Sequence, residues 1–214
     1  MDASFINDGA QQPVSKVSVL ARLIPAVVYL IPAFGATLSA FLMMKMMRAL
    51  EENETAGIEV VLAVLAESIY PVLGSLYLQI FLGIAIFAVL IARMVMQTKT
   101  ASPAGWFFIL SGILCLIPIV VLAEAQSMII EALIIPTSAD ISAIGSTVAL
   151  LLILTMAALP IIFIILLALS VIPFSTKKRP RWSPLIAAVF VEILIITAAV
   201  FFQLRLLWLF QAVS

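Results

Sequence analysis

Glu192 is the residue of this chain best placed to do chemistry. It lies inside WSPLIAAVFVEILIITAAVFFQLRLLWLFQ (182–211), an otherwise apolar run long enough to cross a bilayer. A helix needs about 20 apolar residues to span a hydrocarbon core about 30 Å thick. Glu192 follows Pro184 by eight positions, about 12 Å at 1.5 Å per residue. A charge at that depth costs about 2.5–3.5 kcal/mol on insertion scales. The carboxyl group must therefore find a partner, take up a proton, or face a polar cavity. Two chemistries follow. One is a buried ion pair with Arg93, near the far end of the second apolar run. The other is the handling of a proton or small cation. Ala188, Ala199 and Gln203, at i−4, i+7 and i+11, give Glu192 a small and polar helix face that suits the inside of a bundle.

A second set of carboxylates is Glu59, Glu67, Glu124 and Glu131. Glu59, Ala63, Glu67 and Tyr70 share one helical face, and Glu124, Ser127 and Glu131 share another. Gathered at one mouth of a bundle, the four would form an acidic vestibule that attracts cations or a basic partner. The plainer alternative is a pair of amphipathic helix ends standing in water or headgroups. Arg205, near the end of the last apolar run, could pair with one of them or snorkel to the interface.

These residues need a membrane-spanning frame, and the composition supplies it. The chain has 214 residues, 65% of them hydrophobic and 10% charged, and a mean hydropathy of +1.30. Soluble domains average about 25% charged residues. Helix surfaces that face lipid must be apolar all round, so the expected fold is an all-α polytopic transmembrane helix bundle. Its apolar runs give about five spans, near 20–44, 72–96, 105–135, 144–172 and 182–211. They arrange as two helical hairpins followed by a C-terminal helix. Residues 1–15 read as a flexible N-terminal arm and 16–214 as a single helical membrane domain.

Local signals refine the spans. The run 57–97 has 41 residues, about 60 Å as one helix, or twice the core. Proline removes a helix hydrogen bond, so the reading splits this run at Pro71 into an outer helix, 58–70, and a span, 72–96. Gly35 and Ser39, with Ala36 and Ala40 beside them, have the small-xxx-small spacing that lets helices approach closely. Ala85, Ala88 and Ala92 suggest a second such face.

Basic residues set the expected orientation. Lys16 and Arg22 precede the first span, Arg93 and Lys99 follow the second, and Lys177, Lys178, Arg179 and Arg181 lie between the fourth and fifth. With five spans these fall on one side, and the acidic turns 51–54 and 136–140 fall on the other. Lys45 and Arg48 oppose that assignment but are outweighed. The expectation is an integral protein of a bacterial inner membrane with a cytoplasmic N-terminus.

Several function classes drop out. There is no histidine and only one cysteine, Cys115, so histidine-based triads, the usual zinc sites and histidine-ligated haem have no ligands. No glycine-rich phosphate loop appears. No cofactor or metal and no enzymatic activity are expected. Lys+Arg and Asp+Glu both number 11, which suggests no nucleic-acid partner. The expected partners are the lipid bilayer and other membrane-protein subunits or further copies of the chain. The first functional reading is a non-catalytic subunit that packs in and stabilises a larger membrane assembly. The alternative is a small channel or transporter subunit for protons or cations, using Glu192 and the outer glutamates.

Overall fold

Apolar residues occur on every side of each run, so each run forms a helix and buries only the stripe that meets its neighbours. The computed structural model describes five helices and, among its described residues, no strand. They are α1 (Lys16–Glu52), α2 (Ile58–Val95), α3 (Gly105–Ile134), α4 (Ile141–Val171) and α5 (Ser183–Val213). Residues 1–15, 53–57, 96–104, 135–140, 172–182 and 214 lie outside the description. The expected N-terminal arm and the basic 175–181 stretch therefore fall outside it. All five helices are long and apolar enough to cross a membrane.

The helices pack as a ring of four with one helix docked on its flank. Around the ring, α1 meets α2, α2 meets α5, α5 meets α3, and α3 returns to α1. Helix α4 packs on α1 and α3 from outside the ring. Both expected hairpins are present, since α1 packs on α2 and α3 on α4. Helix α5 fills the place between them, against α2 and α3. The C-terminal ends of α1 and α3 and the N-terminal ends of α2 and α4 lie at one end of the bundle, called here the hairpin end.

Buried residues trace the ring interior. Ala33, Ala36, Ala40 and Met43 come from α1, and Ile69, Val72 and Leu76 from α2. Ile119 and Leu122 come from α3, and Val191, Ile195, Phe202 and Leu209 from α5. Three glycines permit the closest approaches. A Cβ on Gly35 would overlap Ser75 and the Pro71 carbonyl, and one on Gly112 would overlap Val191. A Cβ on Gly83 would overlap the carboxyl group of Glu192.

Two sequence expectations are corrected. Helix α2 is not split at Pro71; it runs unbroken from Ile58 to Val95 with the proline inside it. A serine on the neighbouring helix satisfies the backbone amide next to the proline. Val72 N–H donates across the α1–α2 seam to Ser39 Oγ at 3.1 Å. The Ser68 and Ser75 hydroxyls donate to the Leu65 and Val72 carbonyls, each at 2.7 Å. Proline is tolerated inside a membrane helix when neighbours satisfy the backbone in this way. The second correction concerns Ala85, Ala88 and Ala92, which lie on the exposed face of α2. The packed face is Leu76, Gln79, Gly83 and Leu90.

Candidate site in the bundle interior

Two polar layers interrupt the apolar core. The first lies toward the hairpin end and draws on four helices. At its centre is Gln126 of α3, only 1% exposed. Its amide nitrogen donates to Ser68 Oγ of α2 at 3.4 Å and reaches Met43 Sδ of α1 at 3.8 Å. Its carbonyl accepts from Arg205 Nη1 of α5 at 3.5 Å. Arg205 also donates to the Ala123 carbonyl at 2.9 Å and to Ser127 Oγ at 2.6 Å. The guanidinium lies 5.1 Å from the centroid of the Phe201 ring, within cation–π range. Glu124 attracts it electrostatically from α3. A guanidinium has five N–H donors in a fixed fork, and here the fork is aimed at acceptors on one neighbouring helix.

The second layer lies about 20 Å below Arg205 along α5, since 13 residues separate it from Glu192. Glu192 is half-buried at the α2–α5 seam, with its carboxyl group seated on Gly83. Its Oε1 is buried and has no hydrogen-bond partner among the described residues. One helical turn along α2 from Gly83 is Gln79, which is fully buried. Neither its amide nitrogen nor its amide oxygen has a hydrogen-bond partner among the described residues. Tyr29 of α1 and Cys115 of α3 complete the layer, both buried. Tyr29 interacts electrostatically with Glu192 and with Cys115. Unpaired buried polar groups are uncommon, because each costs about 1–3 kcal/mol.

The side chains singled out in the sequence are distributed as follows. Ala188 and Ala199 are buried beside Glu192, and Gln203 is half-buried and accepts from Tyr77 Oη at 3.2 Å. The helices bring Gly83 against Glu192, whereas position 93 lies ten residues further along α2, about 15 Å by helical rise. The Arg93 side chain itself is outside the description. Glu59 and Glu67 lie on the exposed face of α2, and Glu124 and Glu131 on the exposed face of α3. Helices α2 and α3 stand at opposite corners of the ring and scarcely touch, so the four form two pairs rather than one cluster. Among the described residues, no group of three or more cysteine, aspartate or glutamate side chains is arranged to hold a metal ion.

The sequence reading missed Gln79, Gln126, Tyr29 and Ser68. Gln79 carried a usable signal, being an uncharged polar residue deep in a 35-residue apolar span. Comparison of the chain with protein-family models, with curated proteins and with solved structures gave no match.

Proposed function

We propose that this integral membrane protein handles protons or small monovalent cations at Glu192 as part of a small channel or transporter. The observation that carries the reading is a buried Oε1, unpaired among the described residues, on a carboxyl group inside an apolar helix long enough to cross a membrane. In this position the group adds no hydrogen bond to hold the bundle together, and burying it opposes folding. Intramembrane carboxyl groups facing a bundle interior mark ion paths and proton relays. Gly83 supports the assignment, because its missing Cβ leaves the space the carboxyl group occupies. The activity needs no cofactor, and no covalent catalysis is proposed.

The test is ion flux into vesicles containing purified protein, with wild type beside Glu192→Gln. Wild type is expected to move protons or sodium above the level of empty vesicles, and Glu192→Gln to fall to that level. Equal flux in the two proteins would reject Glu192 as the site.

A second reading keeps the chain as a non-catalytic subunit that packs in a larger membrane assembly. It is favoured by an open apolar groove of about 550 Å³ over α1, between α2 and α4. Val27, Phe34, Leu78, Leu159 and Phe163 line it, and a partner helix would cover this apolar surface. Co-purification in mild detergent tests it: a stable partner is expected, and a chain that purifies alone and monodisperse contradicts it. Both readings place the chain in a bacterial inner membrane, and the basic residues support a cytoplasmic N-terminus.

A further inference from the structure

We propose that Gln79 and Glu192 share bound water in the bundle interior, and that this pair passes protons rather than coordinating an alkali cation. The inference rests on the assignment of Glu192 as the ion-handling group and names its ion. It starts from an independent observation, the fully buried and unbonded amide of Gln79.

Geometry puts the two groups on neighbouring turns. Gln79 and Gly83 are four residues apart on the packed face of α2, and the Glu192 carboxyl group rests on Gly83. A rise of about 6 Å separates the two levels. The two groups make no direct hydrogen bond, and a water placed between them could donate to one and accept from the other. Polar side chains held at such a separation and left unbonded to protein are the sites buried waters occupy, usually with two to four polar partners.

The chemistry of the amide selects the ion. Gln79 offers one acceptor oxygen and one NH₂ donor, and both are unbonded. Water satisfies both ends, since it donates to the oxygen and accepts from the nitrogen. An alkali cation would satisfy the oxygen and be repelled by the N–H dipoles. Sodium also needs a shell of several oxygens. Among the described side chains, Tyr29 of α1 interacts electrostatically with Glu192, and Cys115 of α3 does so with Tyr29. On α2 the facing residues are Gln79 and Gly83, which do not titrate. Among the described residues, helix α4 makes no contact with α5.

The transfer step balances without another reactant. A hydronium ion gives its proton to the Glu192 carboxylate and becomes water. The acid O–H then breaks, its proton moves to another water oxygen, and the carboxylate is restored. Gln79 acts as a positioning residue that orients the water for this exchange.

The experiment measures proton flux, radioactive sodium uptake and melting temperature on the full chain in vesicles. Wild type, Gln79→Leu and Gln79→Met are compared, and Glu192 is labelled with a hydrophobic carbodiimide with and without sodium chloride. Wild type is expected to move protons and not sodium. Both Gln79 variants are expected to lose the proton flux while melting at or above the wild-type temperature. Labelling of Glu192 is expected to be unaffected by sodium. Wild-type proton flux in a folded Gln79 variant would overturn the role of Gln79 and leave Glu192 standing. Sodium uptake with sodium protection of Glu192 would overturn the choice of ion. If wild type moves neither ion, the reading of Glu192 fails and this inference fails with it.

Discussion

Gln126 and Gln79 are both buried glutamines in the same bundle, yet their surroundings differ completely. Gln126 bonds Ser68, reaches Met43 and accepts from Arg205. Gln79 has no side-chain hydrogen-bond partner among the described residues. The contrast extends to their charged neighbours. Arg205 has acceptors at Ala123, Gln126 and Ser127, whereas Glu192 has a buried oxygen without a donor. A polar group in a membrane interior contributes to folding when its bonds are made, and opposes folding when they are not. The layer near the hairpin end therefore ties four helices together. The mid-bundle layer opposes folding, and the ion path proposed above would account for its polarity.

The comparison breaks most visibly at Arg205. Arg205→Leu removes charge-assisted bonds to α3, each worth about 1.5–3 kcal/mol, and leaves the Gln126 carbonyl without a donor. The expected outcome is a loss of about 2–3 kcal/mol in a detergent melting or denaturant experiment. Melting at the wild-type temperature would show that the network near the hairpin end is not structural.

A slightly smaller loss is expected from Gly35→Ala. The added Cβ would overlap the Pro71 carbonyl as well as Ser75, and backbone cannot swing aside. Overpacking of this kind costs about 1–3 kcal/mol. Gly83→Ala makes the matching intrusion in the other layer, but it meets only the flexible end of Glu192. It is expected to leave the melting temperature near wild type and to reduce ion flux by displacing the carboxyl group.

Gln126→Leu sharpens the comparison with its counterpart. It breaks the bonds to Ser68 and Arg205 and is expected to cost about 1 kcal/mol. Gln79→Leu is the smallest change and carries the opposite sign. It removes two unbonded polar atoms, so stability is expected to hold or rise by up to about 1 kcal/mol. A clear loss of stability in Gln79→Leu would erase the distinction between the layers.

The sequence made the frame legible and left the layers mostly hidden, for identifiable physical reasons. Span length and hydropathy give five helices, and short acidic turns give the two hairpins, because both signals are local. The buried face of α1 was readable because Gly35, Ala36, Ser39 and Ala40 concentrate small residues on one side. The same cue failed at Ala85, Ala88 and Ala92, which face outward. Lipid accepts alanine as readily as a helix seam does, so composition alone does not orient a face. Pro71 suggested a break because its remedy lies on another helix, at Ser39. Glu192 stood out because a charge inside an apolar run is costly wherever it points. Gln79 and Gln126 did not, because the meaning of an amide depends on its neighbours, and those neighbours come from distant parts of the chain. Nothing in the spacing of α5 foretold its place between α2 and α3.

An ion-handling Glu192 requires that its carboxyl group is not needed to hold the bundle together. The thermal melting of Glu192→Gln in the detergent used for wild type tests it most directly. The account predicts a melting temperature equal to wild type or higher, because no protein partner of Oε1 is lost. A drop of several degrees, restored in the double variant with Arg93→Met, would instead reveal a structural ion pair and contradict the assignment.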